Sequence, residues 1–166
     1  MHERIRTRRL LIRPFREEDA ESFGRNVLGD VSLASFFDGE SAPDYIHARM
    51  KCAEKPRFYD CVILLAESNE AIGEINAAFI PKDTADVGYV IASGFRNRRY
   101  ASEALSAWIA YLLEEGIRNV YGACRETNAA SMTVMKHAGM KPCRKVPANV
   151  KARENEEGLT YFCFRG

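Results

Sequence analysis

The feature that most constrains this chain is an apolar run joined through an arginine-rich turn to an amphipathic helix. Residues 87–91 are mainly apolar, and the turn at 95–99 contains three arginines. From residue 100 to residue 115 apolar side chains recur at helical spacing, and Gly116 follows directly. The pattern predicts a strand, a polar turn and a helix whose broad apolar stripe packs against a sheet.

The turn between this strand and this helix suits a bound phosphate. A helix N-terminus presents unpaired backbone N–H groups and the positive end of the helix dipole, which together favour an anion. Arg96, Arg98 and Arg99 add positive charge that a diphosphate can use. An ordinary solvated connection has the same composition, so this segment alone leaves both interpretations open.

The rest of the chain is patterned as one domain over residues 1–166, with no internal repeat or linker. Helical periodicity predicts helices at 17–28, 44–54, 100–115 and 128–138. Strands are predicted at 10–15, 58–67, 71–80, 85–91, 120–124, 141–146 and 159–164, and the pattern is weak between 29 and 43. Because the later helices follow strands, we expect an α/β (α+β) fold with a mixed sheet covered on both faces.

Charge and hydropathy argue against several partners. A net charge of +1 provides no overall attraction to nucleic acid or to an acidic membrane. Six of the first sixteen residues are arginines, which indicates either a basic edge strand or a patch for an acidic partner. The longest strongly apolar run, residues 61–66, is too short to cross a bilayer, and the first residues lack the apolar core of a signal peptide.

The cysteines bear on location and on metal binding. There are five, widely spaced, and none forms a Cys-x-x-Cys pair. An odd number with this spacing argues against a disulfide framework or a zinc site and fits a reducing compartment. We therefore predict a cytoplasmic protein with no metal site.

Several short segments, taken in their order along the chain, carry a family resemblance. They are residues 7–15 with 18–20, residues 72–75, residues 85–90, the turn at 95–105, and residues 128–131 followed by 134–135 and 138–140. Any one of them is weak, whereas their shared order and spacing are specific. The chain resembles the GNAT superfamily of acyl-CoA-dependent N-acetyltransferases, and within it the Rim-type (RimJ/RimL-like) protein N-acetyltransferases.

The resemblance implies a fold and a reaction. The expected GNAT fold is a mostly antiparallel sheet of about seven strands, splayed between the fourth strand (85–91) and the fifth (120–124). Pantetheine would lie in that gap, with a main-chain N–H of Val90 or Ile91 receiving the developing oxyanion. The acetyl group of acetyl-CoA would pass directly, in a ternary complex, to a primary amine of a protein N-terminus or a small molecule.

The family pattern for the phosphate turn is Gln/Arg-x-x-Gly-x-Gly/Ala. It implies that the cofactor contacts are Arg96, Asn97, Arg98, Arg99, Tyr100, Ala101 and Ser102. Arg96 and Ala101 match the pattern, but Arg99 stands where the central glycine belongs, and Asn97 stands where this branch often has glycine. Either Arg99 has ordinary helical geometry with its side chain pointing away, or it contacts a phosphate directly.

The resemblance also implies the catalytic groups. Many GNAT enzymes have a tyrosine seven residues after the asparagine, and it acts as the general acid. This chain has Met135 at that position, which cannot donate a proton. The Rim-type branch has a serine three residues after the asparagine, which implies Ser131 as the hydroxyl near the sulfur and Asn128 as a pantetheine contact. The alternative is that Asn128 caps its helix while Ser131 supports the first turn.

The general base is left open between two strand carboxylates. Asp86 occupies the acidic position before Gly-Tyr in the fourth strand, and Glu74 lies on the preceding strand. Glu126 ranks third, and a strand carboxylate is more often a solvated pair partner than a catalyst. Tyr89 is interpreted either as packing beside the substrate channel or as an ordinary core tyrosine, and Cys124 as a small buried residue.

A second hypothesis of another class is an acyl-CoA-binding or regulatory module of the same fold with weak or no catalysis. Arg99 and the missing tyrosine favour it. The acceptor cannot be read from the sequence, since it would be bound by residues 29–57 and 147–158. A homodimer is expected from the resemblance alone.

Overall fold

The structure is a computed structural model that describes residues 4–37, 39–53, 58–80, 83–144, 146, 150 and 158–166. The strands are β1 (Ile5–Arg6), β2 (Leu10–Pro14), β3 (Phe58–Leu65), β4 (Ala71–Ile80), β5 (Thr84–Ile91), β6 (Asn119–Arg125), β7 (Lys141–Pro142) and β8 (Leu159–Arg165). The α-helices are α1 (Ala20–Phe23), α2 (Ala42–Ala53), α3 (Tyr100–Glu114) and α4 (Ala129–His137). Short 3₁₀ turns span Glu17–Asp19, Val31–Phe36 and Ser93–Phe95, and a π-helical turn spans Gly24–Leu28.

The predicted element order is confirmed, with local differences. The helix predicted at 17–28 is a succession of 3₁₀, α and π turns, and the strand predicted at 141–146 is only two residues long. The eight strands are ordered β1-β2-β3-β4-β5-β6-β8-β7, and every pair is antiparallel except β5 with β6. The additional strand relative to the expected seven is the two-residue β1. Most of the loop at 147–158 lies outside the described residues.

The sheet opens between β5 and β6, as the resemblance implies. The two strands pair only from Thr84 opposite Asn119 to Asp86 opposite Tyr121. Beyond that point β5 stays bonded to β4 as far as Ile91, while β6 stays bonded to β8. Each strand therefore keeps one partner and turns its other edge into a wedge-shaped gap.

Two hydrophobic clusters cover the two faces of the sheet, which confirms helices on both sides. One lies under α3 and α4 and is centred on Trp108, which is fully buried and donates from its indole N–H to the Asn76 carbonyl at 3.2 Å. The other lies under α1 and α2 and contains the aromatic residues Phe15, Phe23 and Tyr45. The sheet is thus held from both sides, while the gap lies at its middle.

Two of the N-terminal arginines hold the fold together. Arg13 donates from both terminal nitrogens to the two carboxylate oxygens of Asp19, each at 2.8 Å, and both side chains are buried. Arg9 pairs with Glu103 on the first turn of α3 at 2.7 Å. Removing one partner of a buried pair costs about 3–5 kcal/mol, so Arg13 has a structural role that explains part of the arginine cluster.

Candidate active site

A pair of hydroxyl groups spans the mouth of the gap on the α4 side. Tyr89 lies three residues beyond the last β5–β6 pair, and Cys124 lies three residues beyond it on the other strand. The Tyr89 hydroxyl is 2.8 Å from the Ser131 hydroxyl, on the first turn of α4. Asn128 accepts a hydrogen bond from the Ser131 N–H at 3.0 Å. Asn128 therefore caps the helix, and this capping orients Ser131 toward the gap.

The groups on the α4 side are neutral proton donors at physiological pH. Burial raises the pKa of Tyr89 to about 12, although the hydrogen bond with Ser131 opposes the rise. Burial also raises the pKa of the Cys124 thiol, again against a hydrogen bond with Ser131. From the sequence alone the role of Tyr89 stayed open. The available signal was its position on β5, two residues before Ile91, where one edge of the strand faces the gap.

On the other face of the sheet, Glu74 is enclosed by side chains from α2 and β3. Glu74 lies opposite Val90 across the β4–β5 ladder and is 5% exposed. Its Oε2 accepts a hydrogen bond from the Tyr45 hydroxyl at 2.5 Å. Arg49 stacks over the Tyr45 ring at 4.5 Å and pairs with buried Asp60 at 3.1 Å. The sequence analysis missed these three neighbours, although Tyr45 and Arg49 have the i, i+4 spacing of one helix face.

Among the described residues, the charges around Glu74 do not balance. One guanidinium, that of Arg49, faces the two buried carboxyl groups of Glu74 and Asp60. Burial raises the pKa of Glu74 to about 7, while the Tyr45 hydrogen bond and Arg49 pull it down and Asp60 pushes it up. Burial also raises the pKa of Asp60. Glu74 therefore exchanges its proton close to neutral pH, the range that suits a general base.

The two base candidates lie far apart. Asp86 shares the face of Glu74 but stands opposite Ala78, at the closed end of the gap. Four residues separate Asp86 from Val90, the neighbour of Glu74, which is about 13 Å along a strand. The structure thus places Glu74 level with Val90 and Ile91, and Asp86 at the point where the strands join.

The direction of the N–H groups on β5 follows from its pairing with β4. The Ala92 N–H donates to the Ile72 carbonyl at 2.9 Å. Along an antiparallel strand, N–H groups alternate between the two sides. The Val90 N–H therefore points toward β4, while the N–H groups of Ile91 and Tyr89 point toward the gap.

The phosphate turn keeps a glycine-like backbone without glycine. Asn97 and Arg99 both have φ of 62°, and Arg99 is the N-cap of α3. The interpretation that Arg99 has ordinary helical geometry is therefore wrong. A left-handed conformation costs an L-residue about 1–2 kcal/mol. The first backbone bond in α3 runs from the Glu103 N–H to the Arg99 carbonyl, so the N–H groups of residues 100–102 precede the helical ladder.

All three arginine side chains of the turn are exposed, and one of them, Arg96, is held by contacts to the protein. Arg96 donates from Nε to the Ile91 carbonyl at 2.8 Å and lies 3.9 Å from the Asp30 carboxylate. Asp30 also accepts from the Ser93 N–H at 2.5 Å. Arg98 and Arg99 are exposed. Arg96 thus ties the turn to the end of β5, and the other two arginines face solvent.

A surface cavity of about 390 Å³ runs beside the first two turns of α3. It is lined by Arg9, Arg99, Ser102, Glu103, Ser106 and His137. Burial would raise the pKa of Glu103, but hydrogen bonds from Thr7 and Arg9 outweigh it and lower that pKa. Arg9 pairs with Glu103, and Arg99 adds a further positive charge to the lining.

Two kinds of site receive no support from the described part of the chain. Among its residues no group of three or more His, Cys, Asp or Glu is arranged to hold a metal ion. None of its helices combines the length and the apolar character needed to span a bilayer.

Known proteins share this architecture. An uncharacterised N-acetyltransferase of Bacillus subtilis strain 168, YnaD, is 28% identical over 144 residues, which is 82% of each chain. A Vibrio cholerae protein, assigned as a ribosomal-protein-serine acetyltransferase, has a TM-score of 0.84 at 19% identity, covering 99% of this chain and 98% of that one. RimL, a ribosomal L7/L12 alpha-N-protein acetyltransferase solved with coenzyme A, has a TM-score of 0.80 at 18% identity, covering 98% of both chains.

The family itself is settled by the sequence profile of the acetyltransferase (GNAT) domain, which matches residues 9–141. The match takes in β2, the splayed strands β5 and β6, the turn before α3 and the whole of α4. With the fold shared by solved acetyltransferases, this extent leads to one conclusion: the chain belongs to the GNAT acetyltransferase family.

Proposed function

We propose that this protein transfers the acetyl group of acetyl-CoA directly to a primary amine, on a protein N-terminus or a small molecule, in a ternary complex. The observation that carries the proposal is the gap between β5 and β6, which leads into a turn with left-handed Asn97 and Arg99. The gap offers unpaired strand edges for a pantetheine arm, and the turn offers the helix N-terminus for a diphosphate. RimL, with the same fold, was solved with coenzyme A.

In this proposal the phosphate contacts come from residues 96–102. The N–H groups of Tyr100, Ala101 and Ser102 bind phosphate oxygens, while Arg98 and Arg99 supply charge. Arg96 and Asn97 act by holding the turn in shape, since Arg96 is bound to the Ile91 carbonyl. Asn128 caps α4 through its oxygen and keeps its amide N–H groups for the pantetheine arm.

Glu74 is the proposed general base. Its pKa of about 7 lets it exist as a carboxylate and still take a proton from the acceptor, either from the ammonium before attack or from the amine as it attacks, directly or through one water. It stands level with Ile91, whose N–H points toward the gap and can stabilise the oxyanion that forms on the thioester carbonyl. Asp86, at the closed end of the gap, is the second choice.

Ser131 is the proposed donor to the leaving thiolate, with Tyr89 as its partner. Both hydroxyls lie at the mouth of the gap, and at 2.8 Å either can donate to the other. A thiol titrates near 8.5, so the thiolate is a good leaving group and needs only a hydrogen bond to depart. The Tyr89–Ser131 hydroxyl pair and the glycine-like backbone conformation of Arg99 argue against the alternative of an acyl-CoA-binding module without catalysis.

Turnover with defined amines tests the proposal. We expect CoA at about 100 times its Kd to stabilise the protein by about 2.7 kcal/mol, which raises Tm by about 5–10 °C at this chain length. We also expect free CoA thiol to be released from acetyl-CoA with at least one member of a panel of N-terminal peptides, polyamines and aminoglycosides. The same peptides with blocked N-termini serve as the control. Failure of CoA to raise Tm would contradict the binding site, and binding without turnover on any acceptor would contradict catalysis.

A further inference from the structure

Glu74 is surrounded by a set of side chains that no feature of the acetyl-transfer proposal requires. The groups that face it come from α2, β3 and β4: Tyr45, Arg49, Asp60 and Asn76. Asp86 on β5 shares this face but lies about 13 Å away along the strand. Tyr45 and Asn76 donate hydrogen bonds to the carboxyl group, Arg49 attracts it, and Asp60 repels it. Each neighbour thus affects Glu74 with a known sign.

The Tyr45 ring is fixed in place from several directions. It stacks on Phe23 with ring centroids 5.4 Å apart and packs edge-on against Phe15 and Phe37 at 6.2 and 5.3 Å. The Arg49 guanidinium lies 4.5 Å from its centroid. A ring held in this way aims its hydroxyl at one place, so the hydrogen bond to Glu74 fixes the orientation of that carboxyl group.

The second half of the network leaves polar atoms unused. Asp60 is 1% exposed, and within the described residues its Oδ1 and the Nε of Arg49 make no hydrogen bond. Arg49 and Asp60 therefore do not form the fully bonded, bidentate pair that a purely structural ion pair would favour. Their charges remain available to act on Glu74.

We propose that Tyr45, Arg49 and Asp60 are positioning residues that orient the Glu74 carboxylate and surround it with fixed charge for acetyl transfer. The inference rests on the proposed role of Glu74 as base. In each turnover the acceptor nitrogen attacks the thioester carbonyl carbon and gives its proton to the Glu74 carboxylate as the N–C bond forms. The C–S bond then breaks, CoA leaves as the thiolate with a hydrogen bond from Ser131, and the neutral carboxylic acid returns its proton to water. Tyr45 keeps the carboxylate aimed, Arg49 favours its ionised form, and Asp60 favours its protonated form.

The sign of each effect on the pH–rate profile follows from these contacts. A base must be ionised to act, so kcat/KM rises with pH through the pKa of Glu74, near 7. Tyr45→Phe and Arg49→Met remove groups that lower this pKa, so each should move the rise to higher pH. Asp60→Asn removes a group that raises it, so it should move the rise to lower pH. We expect displacements of about one pH unit.

The experiment measures kcat/KM from pH 5 to 9 for the wild type and the three variants with one acceptor peptide. The ratio of variant to wild-type rate cancels the titration of the acceptor's own amine. Tyr59→Phe is the matched control, because Tyr59 carries the same hydroxyl on the face covered by α3. CoA affinity and Tm are measured for each variant to show that the fold and the cofactor site are intact.

Opposite displacements for Tyr45→Phe and Asp60→Asn, with CoA affinity unchanged, would support the inference. Equal profiles, displacements in the same direction, or a loss of CoA affinity that matches the loss of rate would overturn it. Glu74→Gln separates this inference from the proposed function. If Glu74→Gln loses the rise near pH 7 while the network variants keep the wild-type profile, the inference fails and the base assignment stands. If Glu74→Gln keeps the wild-type profile, both the base assignment and the network fail, and acetyl transfer is judged by thiol release alone.

Discussion

The two sides of the gap differ in the proton affinity of their side chains. On the α2 side, Glu74 is 5% exposed, has a pKa raised to about 7 and is surrounded by other ionisable groups. On the α4 side, Tyr89 and Ser131 are half-buried, uncharged and bonded mainly to each other. Groups whose environments drive their proton affinities apart are the usual mark of an acid and a base. The splayed strands therefore separate a proton-accepting environment from a proton-donating one.

The same difference predicts how substitutions on each side of the gap should act. On the α2 side one cation faces two carboxyl groups, so any change there alters a charge balance and should appear in the pH dependence. On the α4 side burial keeps the groups protonated, so changes there should alter rates without moving a pH profile.

Glu74→Gln should be the most damaging change. The variant keeps the shape and the hydrogen bond from Tyr45 but cannot take a proton, so kcat/KM should fall about 100-fold or more. CoA affinity, measured by calorimetry, should stay within a factor of two. Asp86→Asn is the matched comparison at the closed end of the gap. A larger loss in Asp86→Asn than in Glu74→Gln would make Asp86 the general base and would contradict the difference between the two sides of the gap.

Ser131→Ala should lower kcat about tenfold, because one hydrogen bond to the departing thiolate is lost, with little change in CoA affinity. Tyr89→Phe should have a similar but smaller effect. Since the two hydroxyls are bonded to each other, the double variant should lose less than the sum of the single losses, by at least about 0.5 kcal/mol. Equal losses of turnover and of CoA affinity would make Ser131 a cofactor contact only. Full additivity of the two single losses would mean that the two hydroxyls do not act as a pair.

Arg98→Glu should weaken binding and leave the chemistry on both sides intact. Reversing this exposed charge should raise the Kd of CoA about tenfold and leave the affinity for a pantetheine analogue without phosphates unchanged. The kcat at saturation should stay near wild type. Arg25→Glu is the control, since Arg25 is also exposed but pairs with Glu21 and Glu70 rather than belonging to the turn. Equal losses for both ligands would mean that Arg98 does not face the phosphates.

Arg99→Gly should have the smallest effect and should stabilise the protein. Glycine adopts φ of 62° freely, so the variant should gain up to about 1 kcal/mol, or 2–4 °C in Tm. CoA affinity should fall modestly, because the charge lining the cavity beside α3 is lost. Arg98→Gly is the control, because no left-handed conformation occurs at Arg98 and glycine should destabilise it. A fall in Tm for Arg99→Gly would contradict the strained turn.

The parts of the site predicted from sequence are those with local causes. Asn128 and Ser131 belong to one helix start, where an asparagine followed by the first turn has a recognisable pattern. The turn at 96–102 was recognised in the same way, from a strand followed by arginines and an amphipathic helix. The left-handed conformation of Arg99 was not, because an arginine carries no local preference for it.

The remaining contacts join residues that the chain keeps apart. Tyr45 and Glu74 are 29 positions apart, and Tyr89 and Ser131 are 42 positions apart. Neither pair has a pattern in the sequence, since each depends on how a helix crosses the sheet. The pKa of Glu74 follows from the same packing, so the choice between Glu74 and Asp86 could not be made without it.

The amino-acid sequence by itself determined the order of the elements, the family pattern and the character of the turn, because hydrophobic period, capping residues and charge act over a few positions. The tertiary structure decided which carboxyl group is enclosed and which hydroxyls meet, because these depend on burial and on distances between remote segments. Burial makes the decisive difference: a glutamate in water is simply charged, and the same glutamate beneath α2 exchanges its proton near neutral pH.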